Sequence, residues 1–593
     1  MATNRNSKKF IVIVDQDKIE PELARETVIN FDPLNRAGKE GGFYIDENEE
    51  LHIDDKDVME AHKMAVNKYP DRDAIQMVQL VHEEGDKVHQ FGENEFRLYG
   101  LPEPEQNASV GILGENGLGK TVASKILTGK LKPNLGQYQD PPEWKQIKKK
   151  FRGTGLQNHV EKLADQNIDS ATKPQQVEKI PEIFSGTVKE FLERKGEKEG
   201  LPEITEKFEL EKLLDRKVKQ LSGGELQRLA IASTLLEDAE IYVFDEPSSY
   251  LDVGQRLKTG REITGLEKSV IAVEHDLATL DLISDRINIF YGEKGSYGMV
   301  SNTLSTKNGI NQYLKGHIPS QNLKIRSDTI TFERSSDDKG EGEKILEYNS
   351  MKKKFGEDGF ELQASKGALK QQEIIGIVGE NGLGKTVFAK MLAGAIKPDT
   401  GESPETSISY KTQYIEASDL TVREAFPQEA NMNTKRFQTR IEEPLEIKPL
   451  YDRKLSNLSG GELQRVAVAI CLSRNADLYL LDEPSAFLDV ESRVKLGKTL
   501  KNFSRKEEKP LMIIDHDLLL LDYVSDRGIV FKGRPGIKGE STQPMKIEKA
   551  LNQFLKEVDV TFRKDPETGR PRANKPGSQK DKKQRKKGQF YET

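Results

Sequence analysis

The sequence predicts an α/β protein that carries one domain twice in series, and three repeated motifs predict it. GENGLGKT begins at Gly114 and recurs at Gly379, LSGGELQR begins at Leu221 and recurs at Leu458, and DEPS begins at Asp245 and recurs at Asp482. Each GENGLGKT follows an apolar, strand-like run, VGIL at 110–113 and IIGIV at 374–378, and opens a helical pattern. That is the strand, loop and helix order of a P-loop. The first motif repeats after 265 positions and the other two after 237, so the first copy is 28 residues longer between them.

The extra length lies at about 143–171. Trp144, Ile147 and Phe151, then Leu156, Val160 and Leu163, recur at helical spacing on either side of Gly153 and Gly155. This predicts a helix–loop–helix insertion, with a basic face at Lys145, Lys148, Lys149, Lys150 and Arg152. Residues 1–82 read as a small separate domain with strands at 10–14 and 74–80. The first copy is predicted over 83–290 and the second over 327–544. Between them the Gly-, Ser- and Asn-rich stretch 291–326 reads as a hinge, and 545–593 reads as a second, linker-like hinge with a basic tail.

Composition narrows the class. With 35% hydrophobic and 32% charged residues the chain reads as globular and well solvated. It has no apolar run of about 18 residues, so no membrane span is expected. The start MATNRNSKKFIVIVDQD lacks a signal-peptide pattern, and a cytoplasmic location is expected. The lone Cys471 excludes an intramolecular disulfide and any cysteine-cage metal site. The net charge of −7 argues against a chain coated in nucleic acid, but 563–587 holds eleven Lys and Arg against three Asp and Glu. Such a tail is either a solvated terminus or a contact for phosphate backbones.

The motifs dictate a chemistry. Gly114, Asn116, Gly117 and Gly119, and in the second copy Gly379, Asn381, Gly382 and Gly384, form loops whose backbone N–H groups cradle phosphates at a helix N-terminus. Lys120 and Lys385 are placed to reach the β- and γ-phosphates, and the Thr121 and Thr386 hydroxyls to hold Mg²⁺. IYVFDE and LYLLDE are buried-strand runs that end in paired carboxylates. Asp245 and Asp482 fit the Mg²⁺-linked role, and Glu246 and Glu483 fit the carboxylate that orients or deprotonates water. His275 in VEHD and His516 in IDHD follow short apolar runs in both copies and read as γ-phosphate sensors.

LSGGELQR resembles the signature of ATP-binding cassette (ABC) proteins. The resemblance implies that Ser222, Gly223, Gly224 and Glu225 grip the nucleotide held by the second P-loop, and Ser459, Gly460, Gly461 and Glu462 the one held by the first. It also identifies Gln175 in KPQQ and Gln413 in KTQY as Q-loop glutamines that join the Mg²⁺ shell, and Asp252 and Asp489 as D-loop aspartates. Two departures are shared by the copies: Glu115 and Glu380 stand where many relatives have Pro, and Val122 and Val387 replace a second hydroxyl. Phe91 or Phe96, and Phe355 or Phe360, are candidates to stack on adenine, and each fits a core position equally well.

The order of parts narrows the resemblance to subfamily E of the ABC proteins, the RNase L inhibitor or ribosome-recycling ATPases. It rests on the FRGT-containing insertion, on NGINQYLKGHIPSQNLKIR between the copies and on TFRKDPETGRPRANKPGS near the end. It implies a ferredoxin-like α+β N-terminal domain and a monomer whose cassette pair uses ATP and Mg²⁺ to split ribosomes. The chain then stays on the small ribosomal subunit, on its rRNA and proteins, with release-factor-like co-partners and no membrane. A ribosome-bound anti-association or dormancy factor that uses ATP as a clamp, or another soluble twin-cassette translation ATPase, stays open beside it. One departure is large: the family holds two [4Fe–4S] clusters on eight N-terminal cysteines, and this chain has none there. Ile19, Ala24, Val28 and Asp32, then Met59, His62, Ala65 and Tyr69, fall at the ligand positions. No iron–sulfur cluster is expected.

Overall fold

The computed structural model describes residues 9–72, 74–80, 87–196, 200–326, 328–332, 343–357, 359–413 and 418–592. The first eight residues and the boundaries expected at 82–83 and 326–327 fall wholly or partly outside them. No described helix is long and apolar enough to cross a membrane.

Each repeated motif set folds onto a nine-stranded sheet, and the two sheets share one strand order. In the first half Ser109–Leu113 runs parallel to Ser269–Val273 on one side and to Arg286–Glu293 on the other, and Ser269–Val273 is followed in parallel by Ile241–Asp245 and Ser170–Lys173. Parallel strands are covered on both faces, which is why these segments are continuous apolar runs. Every residue of Ser109–Leu113 and of Ile241–Asp245 is buried. Parallel order also brings the C-terminal ends of the strands to one edge, where a doubly covered sheet binds its ligands. Gly114, Gln175, Glu246 and His275 follow four of these ends. In the second half Ile374–Val378, Leu511–Ile514, Leu478–Asp482 and Ile408–Lys411 repeat the arrangement.

The insertion forms the helices Trp144–Lys150 and Gln157–Ala164. Ile147, Phe151, Leu156 and Val160 join the core beneath the first P-loop helix, with Trp144 packed at its margin. In the N-terminal domain Phe10–Val14 pairs antiparallel with Ile75–Gln79, and short helices close over a separate apolar core. One buried residue, Asn94, fastens that domain to the first half. Its side chain accepts from Ile53 N (3.0 Å) and donates to Ile53 O (3.0 Å) and Val12 O (3.3 Å), while its own carbonyl accepts from Val14 N (2.9 Å).

The two stretches read as linker are corrected. The hinge does not start at 291, because Arg286–Glu293 and Tyr297–Val300 are paired strands of the first sheet. Beyond them Thr306–Lys315 is a helix, with Ile310, Tyr313 and Leu314 packed against Ile287 and Ile289. At the C-terminal end Ile547–Glu557 packs on the second sheet, and Phe562–Lys564, Pro571–Ala573 and Tyr591–Glu592 form a three-stranded sheet. The basic tail is only partly a solvated terminus. Arg570 is fully buried at 3.4 Å from Asp281, and Arg572 makes two bonds to Asp281 (2.6 and 2.8 Å) and one to Asp565 (3.3 Å). Phe562, Ala573, Phe590 and Tyr591 share one apolar cluster with Val253 and Leu257 of the first half and Val530 of the second, so this segment is a wedge at the seam.

Replacing Asn94 by Leu leaves the Ile53 N–H and two carbonyls without partners, a loss of about 1–3 kcal/mol. The expected outcome is a lower first thermal transition and faster proteolysis between the N-terminal domain and the first half, with the melting of the cassettes unchanged.

Candidate active site

In each half the phosphate loop folds around a lysine. Lys120 Nζ donates to Gly114 O (2.7 Å), Glu115 O (2.9 Å) and Asn116 Oδ1 (3.2 Å), and Lys385 Nζ to Gly379 O and Glu380 O (both 2.8 Å). Gly119 and Gly384 need to be glycine twice over. Their φ angles are +84° and +88°, and a Cβ would come within 2.7 and 2.8 Å of the Phe96 and Phe360 rings. Each loop leads into an eight-residue helix, Lys120–Leu127 or Lys385–Leu392, whose free N–H groups and dipole favour an anion. Burial pulls the Lys120 ammonium down to about 8 against the pull of Asp489, Glu246 and Asp245, and it also lowers Lys385.

Beside each loop stands an oxygen donor set that suits a hard divalent cation. Thr121 Oγ1 lies 3.3 Å from Asp245 Oδ2, and Thr386 Oγ1 lies 2.8 Å from Asp482 Oδ2. Asp482 Oδ1 is buried without a hydrogen-bond partner, an orphan that a cation satisfies. Burial, followed by the Glu246 charge, pushes Asp245 up to about 6, and burial raises Asp482 as well. These residues fit Mg²⁺, and the cassettes imply ATP with it.

Glu246 and Glu483 leave their strands with φ of +49°, a left-handed conformation that non-glycine residues avoid. Gln175 Nε2 donates to Glu246 Oε1 (2.6 Å), Ser249 Oγ to Glu246 Oε2 (3.1 Å) and Gln413 Nε2 to Glu483 Oε1 (2.7 Å). The glutamines expected at the metal therefore have their amide nitrogens on the glutamates. His275 Nε2 is 3.8 Å from Glu246 Oε1 and His516 Nε2 is 3.5 Å from Glu483 Oε1. Burial, then Lys120, holds His275 down to about 3, so it is neutral, and neither of its ring nitrogens has a partner. Burial works to raise Glu246, and the neighbouring His275, the Gln175 and Ser249 donors and the Lys120 charge outweigh it and lower the carboxyl; for Glu483 the His516 and Lys385 neighbours overcome burial and bring the carboxyl to about 2.

The halves meet head to tail through the two D-loops. Asp252 Oδ1 caps its own helix at Gln255 N (2.9 Å), and its Oδ2 accepts from Asn381 N of the opposite phosphate loop (2.9 Å). Asp489 Oδ1 caps its helix at Ser492 N (2.8 Å), and its Oδ2 lies 3.9 Å from Lys294, which pairs with Glu115 of the first loop (2.7 Å). Against burial, Lys294 helps hold the Asp489 carboxyl at about 2.

The signature residues stand further back. Ser222 and Ser459 cap the helices Gly223–Leu236 and Gly460–Ser473 in reciprocal boxes with Glu225 and Glu462. Gly223 and Gly460 lie against Tyr250 and Phe487, whose rings meet at 5.6 Å across the seam; Gly224 and Gly461 lie near the carbonyls of the same two residues. The seam encloses a chamber of about 350 Å³ lined by Gly223, both glutamates and both histidines. The cavity over the first loop, about 420 Å³, is lined from the first half alone, by Asn116, Gly117, Gly119, Lys120, Thr121, Gln175 and Asp245 among others. The expected grip of Ser459 and its glycines on this site is thus not made in this arrangement, whereas the D-loop contact is. Phe91 and Phe355 are half-exposed (48% and 41%), and Phe96 and Phe360 pack under the loop glycines, which separates the aromatic candidates.

Several residues escaped the sequence reading. Lys173 and Lys411, two positions before the Q-loop glutamines, are buried beneath the glutamates, and burial brings both down to about 8. Arg256 with Asp276 (2.8 Å) and Arg493 with Asp517 (2.9 Å) form buried ion pairs at the seam, and Arg493 reaches His275 O (3.4 Å). Their matched placement in the two copies was the available signal.

The family model for ABC transporters matches residues 103–249 and 362–486. An uncharacterized ABC transporter ATP-binding protein of Methanocaldococcus jannaschii is 44% identical over 98% of this chain and 97% of its own length. ABC transporter E family member 1 of Arabidopsis thaliana is 39% identical over 98% of both. Among solved structures, one described as a model of ribosome-bound archaeal Pelota and ABCE1 aligns with TM-score 0.91 and 44% identity over 98% of this chain and 99% of that one. A complex of archaeal ribosomal stalk protein aP1 with archaeal ribosome recycling factor aABCE1 aligns with TM-score 0.80 and 46% identity over 85% and 99%. With two complete cassettes joined head to tail and relatives that match it from end to end, the chain belongs to subfamily E of the ATP-binding cassette proteins, the ribosome-recycling ATPases of the RNase L inhibitor family.

Proposed function

We infer that this protein recycles ribosomes in the cytoplasm: it closes on two ATP, separates the subunits, and stays on the small subunit, working with a release-factor-like protein. The observation that carries the reading is the reciprocal placement of Asp252 and Asp489 at the opposite phosphate loops, within a chain that aligns over nearly its full length with a ribosome-bound relative. The phosphate loops bind through Lys120, Lys385 and the helix N-termini. Bound Mg²⁺, held by Thr121, Asp245 and Gln175 or by Thr386, Asp482 and Gln413, supplies the charge that neutralises the phosphates. Glu246 and Glu483 orient the attacking water and accept its proton, and His275, with both ring nitrogens unpaired, and His516, with Nε2 unpaired, sense the γ-phosphate. Closure brings Ser459, Gly461 and Glu462 to the first nucleotide and Ser222, Gly224 and Glu225 to the second. Binding energy then selects one arrangement of the halves, and hydrolysis releases it.

The N-terminal domain does not suit iron–sulfur clusters. Ala24, Val28 and Ala65 are fully buried in its apolar core. Asp32 is spent on Leu34 N (2.7 Å), Asn35 N (3.0 Å) and Phe43 N (3.2 Å), and Tyr69 on Glu20 N (2.8 Å) and Lys18 O (3.1 Å). His62 Nδ1 accepts from Met59 N (3.0 Å), and its Nε2 faces Asp32 at 3.4 Å. The polar groups at the ligand positions hold the fold, and no thiolate is among them.

Three outcomes test this reading. The Glu246→Gln/Glu483→Gln variant loses about 10²- to 10⁴-fold in ATP hydrolysis. It still binds ATP and accumulates on small subunits in gradient assays, whereas wild-type turnover or loss of ATP binding contradicts the assignment. Phe91→Ala/Phe355→Ala weakens ATP binding roughly tenfold, on the scale of one lost stacking contact, with kcat nearly unchanged. Protein purified without oxygen contains no iron above background by elemental analysis and splits ribosomes at the same rate with and without an iron chelator; stoichiometric iron overturns the cluster-free domain.

A further inference from the structure

Lys173 and Lys411 place a buried charge on strands, Ser170–Lys173 and Ile408–Lys411, that carry no other charged residue. Lys173 ends the strand Ser170–Lys173 and is paired in register with Phe244; Lys411 ends Ile408–Lys411 and is paired with Leu481. The two lysines are 0% and 3% exposed. Lys173 Nζ donates to Asp245 O (2.7 Å) and Glu246 O (3.0 Å), and Lys411 Nζ to Asp482 O (2.7 Å) and Glu483 O (3.2 Å).

Those carbonyls belong to the peptides that carry the two carboxylates of each site. The glutamate in each pair is left-handed, a conformation that costs about 1–2 kcal/mol and persists only where its surroundings enforce it. The enforcement comes from several directions. Glu246 N donates to Val273 O (2.8 Å) and Glu483 N to Ile514 O (2.7 Å). Gln227 and Gln464, from the signature helices, donate to the Glu246 and Glu483 carbonyls. The lysine supplies the charged donor, and two residues further on Gln175 or Gln413 holds the carboxylate itself. One strand therefore grips each glutamate at both ends, its carbonyl by an ammonium and its side chain by an amide.

Packing gives no reason for a lysine here. A charge in the sheet interior pays a desolvation penalty that a methionine of similar volume avoids, and such replacements are often neutral or stabilising. The carbonyl pair is the feature that a methionine cannot serve.

We propose that Lys173 and Lys411 are positioning residues for hydrolysis: each ammonium locks the left-handed peptide of its glutamate and ties it to the Q-loop strand, keeping the carboxylate aimed at water. Lys173 does not line the cavity over the first phosphate loop. The proposal rests on Glu246 and Glu483 being the groups that activate water.

The test uses the full chain with Lys173→Met/Lys411→Met, the same pair changed to Gln, and Glu246→Gln/Glu483→Gln in parallel. The readouts are kcat and KM for ATP, the stoichiometry and affinity of a fluorescent ATP analogue with Mg²⁺, and the Tm. For the methionine pair the expected result is both sites filled, affinity and KM within about threefold of wild type, and kcat per filled site roughly 30- to 100-fold lower, the scale of a misplacement of about 1 Å. The glutamine pair, which keeps a neutral donor, falls between and carries the test if the methionine pair does not fold. Wild-type kcat per filled site overturns the proposal. A loss of kcat that only tracks a loss of filled sites also overturns it, because that is the mark of a structural lysine. Hydrolysis that survives Glu246→Gln/Glu483→Gln overturns the glutamate assignment instead.

Discussion

Two aspartates cross the seam between the halves, and the composite character of the protein depends on them. Each is fixed by its own helix, since one carboxylate oxygen caps Val253–Thr264 or Val490–Glu507. The other oxygen is thereby aimed outward, at Asn381 N in one direction and at Lys294 beside Glu115 in the other. One turn into each helix Arg256 or Arg493 pairs with Asp276 or Asp517, the residue after His275 or His516. A rigid helix end thus links the opposite phosphate loop to the histidine segment. The Arg256–Asp276 and Arg493–Asp517 charges along this link are buried, with little water to screen them.

Much of this was legible in the sequence because the motifs are local. A P-loop announces itself by its glycines, and the strand before it by an unbroken apolar run. The insertion was readable from the spacing of Trp144, Ile147 and Phe151, and of Leu156, Val160 and Leu163, on either side of Gly153 and Gly155. Features that depend on pairing across long stretches of chain were not. The 297–300 strand is short and carries Gly298, and its partner's identity is set by the sheet, so it looked like hinge. Arg570 and Arg572 looked like part of a basic tail, either solvated or held on phosphates, yet their counter-ion Asp281 sits almost 300 positions earlier and is buried with them. Lys173 and Lys411 were invisible for the same reason, because a single lysine at the end of a strand ordinarily faces water.

The N-terminal domain folds with other chemistry at the positions that the resemblance matches to its family's cysteines. Where eight thiolates and two inorganic cores would organise the loops, four kinds of residue stand here: apolar side chains, a carboxylate that collects three backbone N–H groups, an imidazole that accepts from Met59 N, and a phenol that bridges two backbone groups. Each replacement satisfies the local chain and none depends on a metal. The domain is still docked on the first half through Asn94 and the Arg97–Asp55 pair (2.6 Å), so it remains mechanically joined to the cassette that moves.

Identical motifs nonetheless do not make identical sites. At the first phosphate loop the Glu115 carboxylate meets a cation, Lys294, which also faces Asp489 across the seam. In the second half Pro535 occupies the matching turn, against Gly382 as Lys294 lies against Gly117. Glu380 there is raised by burial and by the approach of Asp252. The first seam therefore closes with its carboxylates balanced by an ammonium, and the second brings a loop glutamate and a crossing aspartate of like charge together. Arg326, from the segment between the halves, adds to the difference: it binds Glu491 on the helix that Asp489 caps, and Glu491 is pushed up to about 7 by burial and by Glu115. Charges outside the shared motifs, one of them in the connecting segment, thus distinguish two sites whose chemistry is the same residue for residue.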